Sequence, residues 1–187
     1  MMEIRFHGRG GQGTVVASKI MAEAVFLDGR FSQSFPAFGV ERRGAPVTAF
    51  LRVDDKPIRV RTEIYEPQHI VVLDPLLVDQ VPLTQGLQAG GIIIVNSDKP
   101  PESFQDRFKG FRVATVPAGR IAHRRGLGSG QTPIVNTAIL GAVNRALGIV
   151  TMESLMRAIQ EGVPTRAQEN AEAAQEAFDA TREAVLF

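Results

Sequence analysis

The chain has 187 residues, of which 44% are apolar and 22% charged, with a formal net charge of +1. These values suit a globular protein of one domain and give no general attraction to nucleic acid or to an anionic membrane. The absence of cysteine excludes disulfides, thiol nucleophiles and cysteine-held zinc or iron–sulfur clusters within this chain.

Residues 3–7 predict a short strand with Ile4 and Phe6 on its apolar side. It runs into Gly8-Arg9-Gly10-Gly11-Gln12-Gly13, and residues 14–27 then predict a helix presenting Val16, Ile20 and Leu27, ended by Asp28-Gly29. Residues 31–38 are aromatic and turn-rich, with Pro36 limiting any helix. Residues 40–46 read as a charged loop. Residues 47–53 and 57–61 alternate apolar and polar around Asp54-Asp55-Lys56, a hairpin signal. The apolar runs 70–73 and 92–95 predict strands buried on both faces, and 113–116 another short strand. Residues 75–80 and 83–88 are short helix or turn candidates, and 117–130 a basic, glycine-containing connector. Residues 135–147 predict a helix closed by Gly148. Thr151 is placed as the N-cap of the next, which is broken at 161–164. Residues 166–185 predict a long, polar, weakly buried or partner-facing helix. Alternating strands and helices give an α/β fold: a three-layer sandwich with a mostly parallel sheet plus an antiparallel hairpin, in a single domain over 1–187.

Three segments could carry chemistry. The glycine loop satisfies G-x-G-x-x-G between a strand and a helix, where backbone N–H groups can face an anion; it can equally be a tight turn without a ligand. A nicotinamide site would need an acid at the end of the second strand. Asp28 has the spacing but falls at a helix end, which argues against that reading. Arg42 and Arg43 in Glu41-Arg42-Arg43-Gly44-Ala45-Pro46-Val47 are an anion grip, a solvated turn or a subunit-interface salt bridge. In the third segment, Thr132-Pro133 signals a helix start, Ala138, Gly141 and Ala142 read as close packing, and the role of Asn136 stays open. Basic residues also gather around His123, as a solvated face or an anion site. His7, His69 and His123 give no metal spacing, and no catalytic triad or carboxylate pair stands out. There is no leader pattern and no apolar run near the ~20 residues that span a bilayer, so a cytoplasmic location is expected.

Taken together, residues 6–13, the Phe35-Pro-Ala-Phe-Gly-Val-Glu-Arg-Arg-Gly-Ala-Pro-Val47 stretch and the Asn136-Thr-Ala-Ile-Leu-Gly-Ala142 stretch closely resemble the gamma subunits of pyruvate/2-ketoisovalerate:ferredoxin oxidoreductases. The resemblance runs from residue 3 to about 180. It implies a holoenzyme that converts a 2-oxoacid and coenzyme A to acyl-CoA, carbon dioxide and reduced ferredoxin. It implies further that thiamine diphosphate, magnesium and iron–sulfur clusters sit in the alpha, beta and ferredoxin-like delta subunits, with none held by this chain. Residues 41–47 are more similar to the pyruvate or branched-chain type than to the 2-oxoglutarate type. On this reading Gly8, Arg9, Gly10, Gly11, Gln12, Gly13, Arg42 and Arg43 either contact coenzyme A or form the seam with the other subunits, and the chain is inactive alone. A free-standing Rossmann-type nucleotide-binding oxidoreductase and a purely structural assembly module are the alternatives.

Overall fold

The computed structural model describes residues 1–37, 44–129 and 132–183. Its centre is a seven-stranded mixed sheet, in the order β2-β3-β1-β4-β5-β6-β7. Strands β1 (Met2–Arg9), β4 (His69–Val72), β5 (Ile92–Asn96) and β6 (Arg112–Val116) run parallel side by side. On one flank, β3 (Pro46–Asp54) pairs antiparallel with both β1 and β2 (Phe31–Pro36). On the other, the two-residue β7 (Arg182–Glu183) pairs antiparallel with β6.

Side chains alternate across a strand, so each strand serves two cores. One face of the sheet presents Ile4, Phe6, Leu51, Val71 and Ile94 to the larger core, closed by α1 (Thr14–Leu27), α4 (Ala138–Leu147), α5 (Met152–Gly162), α6 (Ala167–Ala180) and the short α3 (Ala118–Arg124). The other presents Ile70, Val72, Ile93 and Val95 to a smaller core, closed by the short α2 (Leu77–Gln80), the 3-10 turn Pro101–Phe104 and their loops. No helix among the described residues is long and apolar enough to cross a membrane.

The α/β class, the helix over Thr14–Leu27 and the strands near 70, 92 and 113 are as the sequence predicts. Thr151 is the N-cap of α5, its side chain accepting from the N–H of Ser154. Other expectations are corrected. The antiparallel addition is β2 with β3, not 47–53 with 57–61: β3 already has a neighbour on each edge, and residues 57–61 leave the sheet. Pro36 closes β2, an edge strand that tolerates the missing donor, and the serines of β2 seat it on α1: Ser32 Oγ donates to Ala22 O at 2.8 Å and Ser34 Oγ lies 2.8 Å from Ser18 Oγ. The buried stripe of α1 runs through Ala17, Ile20, Met21, Ala24 and Val25, which leaves Val16 40% exposed.

The basic connector contains α3, and α4 starts at Ala138 rather than 135. Helix α6 is neither weakly buried nor as long as expected. Ala171, Ala173, Ala174 and Ala177 are fully buried, and the chain turns extended at Thr181 to form β7. Close approach of α4 and α6 is possible because position 141 has no side chain: a Cβ on Gly141 would lie 1.8 Å from the Ala174 carbonyl oxygen. The packing role assigned to Ala138, Gly141 and Ala142 therefore holds, with all three buried.

Candidate functional site

At the carboxyl ends of the parallel strands the register brings three chain segments level. His7 on β1 pairs with Val72 on β4, and Val72 with Val95 on β5. The chain leaves β1 toward α1 and the β2–β3 flank, and leaves β4 toward β5 on the opposite side. That divergence makes the β1/β4 boundary a crevice, the usual ligand position in an open α/β sheet. A cleft of about 630 Å³ lies there, lined by Arg9, Gly10, Gly11 and Gln12, by Gly44, Asp74, Pro75 and Asn96, and by residues 128–129 and 132–135. A second depression of about 410 Å³ adjoins it across Pro75, Asn96 and Pro133, and holds His123 and the Arg120–Asp98 ion pair, 2.8 Å apart.

The motif glycines divide by task. Gly11 and Gly13 have φ of 98° and 74°, a left-handed backbone that other residues adopt only with strain. A Cβ on Gly13 would also lie 2.4 Å from Asn136 Nδ2, and one on Gly8 would lie 2.1 Å from Thr14 Oγ1. Gly8 and Gly13 thus make room for neighbouring side chains, while Gly10 and Gly11 form the cleft floor. Gly13 is the N-cap of α1 and no side chain caps that helix. Its first N–H groups have no intrahelical acceptor, and the helix dipole adds partial positive charge there.

The polar residues of the loop are already engaged. Gln12 Oε1 accepts from the Arg9 N–H at 2.8 Å, while Gln12 Nε2 donates to Asp74 Oδ2 at 2.9 Å. Arg9 Nε lies 3.1 Å from that same carboxylate oxygen, close enough for an ion pair although its N–H is not aimed for a hydrogen bond. Arg9 Nη2 donates to Gln80 Oε1 at 2.8 Å. Asp74, at the end of β4 and 8% exposed, also accepts the Leu76 N–H at 2.9 Å through its other oxygen. Asn96 performs a similar service one strand over, donating to Leu73 O at 2.9 Å and accepting from the Gly119 N–H at 3.0 Å. Buried Thr14 and Asn136 keep Oγ1 and Oδ1 without a hydrogen-bond partner.

Of the predicted loop residues, Arg9, Gly10, Gly11 and Gln12 line the cleft, whereas Gly8 and Gly13 are not in its lining and stand against Thr14 and Asn136. Arg42 and Arg43 lie outside the described residues; their chain neighbour Gly44 lines the cleft and donates its N–H to Gly10 O at 3.1 Å. Asp74 and Asn96 were not singled out in the sequence. The available signal was a polar residue at the carboxyl end of each apolar run, the end at which such sheets bind ligands. Asp28, the acid a nicotinamide site would need, is bound elsewhere. It accepts from the N–H and hydroxyl of Thr151 at 2.6 and 2.8 Å and from the Ser154 hydroxyl. Burial pushes its carboxyl up, but those hydrogen bonds outweigh burial and hold it below the ordinary carboxylate value. No cluster of three His, Asp or Glu side chains that could hold a metal occurs among the described residues.

Comparison with known proteins gives concordant findings. The model of the pyruvate ferredoxin/flavodoxin oxidoreductase family matches residues 3–184. The chain is 54% identical over 184 residues to the pyruvate/ketoisovalerate oxidoreductases common subunit gamma of Thermococcus litoralis, covering 97% of both chains. Its structure is similar to that of the pyruvate oxidoreductase subunit PORC of Thermotoga maritima, with a TM-score of 0.83, 32% identity and 98% of each chain covered. It also shares its fold with part of the 2-oxoglutarate:ferredoxin oxidoreductase of Magnetococcus marinus, solved with 2-oxoglutarate, coenzyme A and succinyl-CoA. There the TM-score is 0.71 at 18% identity, over 95% of this chain and 30% of the other. A match along nearly the whole chain, at more than half identity to a gamma subunit, makes this protein a gamma-type member of the pyruvate ferredoxin/flavodoxin oxidoreductase family.

Proposed function

We propose that the chain, as one domain, helps to bind coenzyme A for a cytoplasmic 2-oxoacid:ferredoxin oxidoreductase, acting on pyruvate or a branched-chain 2-oxoacid. The observation that carries this is the cleft lined by Arg9, Gly10, Gly11 and Gln12, the loop that leads straight into the uncapped N-terminus of α1. Backbone N–H groups there suit a phosphate or a polar amide. The residues fit such a ligand in two parts. Gly10, Gly11, Pro133, Ile134 and Val135 offer close backbone approach and an apolar wall, suited to a long neutral arm. Charge must come from beyond the Arg9–Asp74 pair, which neutralises itself; Arg42 and Arg43, next along the chain from Gly44, supply it in this reading.

Gln12 and Asp74 act on the ligand through the loop they hold in shape. Thiamine diphosphate, magnesium and the iron–sulfur clusters belong to the alpha, beta and ferredoxin-like delta subunits, in keeping with the absence of cysteine here, and external ferredoxin accepts the electrons. The chain therefore turns over nothing alone. In the assembled enzyme, Gly10→Val and Arg43→Ala should each raise KM for coenzyme A by about tenfold or more, the size of one lost phosphate or close backbone contact, with KM for the 2-oxoacid unchanged. An unchanged KM for coenzyme A in both variants refutes the reading and leaves the cleft a seam between subunits.

A further inference from the structure

The two edges of the sheet are finished differently. At one, β7 is only two residues long, Arg182 and Glu183, both charged and exposed; a short, charged strand of this kind discourages further pairing. At the other, β2 runs for six residues, Phe31-Ser-Gln-Ser-Phe-Pro36, with no charged side chain. The phase of the hydrogen bonds fixes what β2 offers. The Ala37 N–H donates to Thr48 O, so Ala37, and with it the alternate residues Phe35, Gln33 and Phe31, turn their main-chain groups toward β3. Ser32, Ser34 and Pro36 turn theirs outward, where those groups have no partner among the described residues.

Apolar surface gathers along the same edge. Phe31, 44% exposed, stands on β2. Phe26, 66% exposed, stands on α1 one helical turn beyond Ala22, whose carbonyl holds the Ser32 hydroxyl. These are the two exposed phenylalanines among the described residues. An open strand edge flanked by exposed aromatic rings is a surface built to take another strand.

We propose that two copies of this chain join edge to edge through β2, antiparallel about a twofold axis at Gln33. In that register Ser32 lies opposite the copy's Ser34, and the outward N–H of each donates to the outward carbonyl of the other, repeated by the symmetry. Phe31 then lies directly across from the copy's Phe35, an aromatic cross-strand pair that covers the exposed ring. Gln33 faces its own counterpart. Its Oε1 already accepts from Arg52 at 2.9 Å, and its Nε2, with no bond among the described residues, is left to donate across the axis. Pro36 ends the pairing, since it has no N–H to give the next rung. No β2 residue lines the glycine-loop cleft, so the seam is separate from that site.

Sedimentation velocity of the full-length chain over a concentration series reads the association, and the parent should dimerise. Ser34→Pro removes a donor that the single chain does not use, which an edge strand tolerates, and should weaken the dimer by about tenfold or more. Ser34→Ala keeps the N–H, loses only the Ser18 contact and should dimerise as the parent does. Phe31→Lys puts a cation where the aromatic pair forms and should also weaken the dimer, so the test survives if circular dichroism shows Ser34→Pro unfolded. The chain has no cysteine, so Gln33→Cys carries a single thiol. Neighbours of this non-hydrogen-bonded kind stand about 4.5 Å apart at Cα, within disulfide reach. Oxidised Gln33→Cys should therefore run as a cross-linked dimer, from the free chain and from the assembled enzyme alike. The proposal is overturned by a parent that stays monomeric, by a folded Ser34→Pro or Phe31→Lys that dimerises as well as the parent, by a Ser34→Ala as weak as the proline variant, or by a dimer that Gln33→Cys fails to cross-link. Cross-linking confined to the free chain also overturns it, since a strand of another subunit would then occupy the edge.

Discussion

Replacing Arg52 with methionine removes the cation that fastens the segment after β3 to the sheet. Arg52 is 1% exposed. Its Nε donates to Glu3 Oε1 at 2.7 Å, Nη1 to Gln33 Oε1 at 2.9 Å and Nη2 to Thr62 O at 2.8 Å, and the guanidinium lies 5.2 Å from the centre of the Phe35 ring. Removing one partner of a buried ion pair costs about 3–5 kcal/mol, largely because the other charge is stranded. Glu3 keeps 21% side-chain exposure, so water recovers part of that loss and the expected cost is near the lower limit, about 3 kcal/mol. For a chain of this length that corresponds to a fall in Tm of roughly 10 °C. The double variant Arg52→Met with Glu3→Met leaves no stranded charge and should regain at least about half of the loss. Urea denaturation, with the slope unchanged, measures all three proteins. A single variant within about 1 kcal/mol of the parent, or a double variant no better than the single, refutes the ion-pair account.

Two further outcomes follow from local geometry. Gly141→Ala would gain about 1 kcal/mol from helix propensity alone, but its Cβ meets the α6 backbone 1.8 Å away. Overpacking of about 1–3 kcal/mol or more should win, so a lower thermal midpoint is expected and a raised one would show that α6 can slide. Burial, with the charge of Arg112 second, pushes His69 down to about 4, and burial with the charge of Arg5 pushes His7 down to about 3. Both lie below the unfolded value of about 6.5, so the stability each lends is fully present above pH ~6.5 and declines as pH falls toward those folded values. The urea midpoint should therefore drop between pH 7 and 5, less steeply in His69→Gln; a flat profile contradicts neutral burial of these rings.

Sequence order made the strand–loop–helix start legible because its signals are local: an apolar pair, four closely spaced glycines and a helical run. Strand β2 was harder to read because Phe31-Ser-Gln-Ser-Phe-Pro36 mixes aromatic, small polar and turn-forming residues, and its place depends on distant α1 and β3. The partner of β3 was misread for a related reason: the nearest alternating segment lost to β1 and β2, which the turn at 54–56 does not reveal. Alanine concealed α6, since Ala171, Ala174 and Ala177 look bland in a polar helix yet pack fully against α4. The glycine loop was visible, but the 62-residue separation of Gln12 from Asp74 hid the pair that shapes it. Gly119, Gly126 and Gly128 made residues 117–130 look like a connector, although α3 runs through Gly119 and ends before Gly126.

The hydrogen bonds converging on Asp74 have a mechanical corollary. Because Gln12 reaches from the first turn beyond β1 to the tip of β4, and Asn96 ties the tip of β5 to the chain on either side, the strand tips around the crevice are cross-braced. They cannot spread without breaking several part-buried polar contacts at once. A force applied at this crevice should therefore displace the strand tips together, as one plate, with their spacing kept.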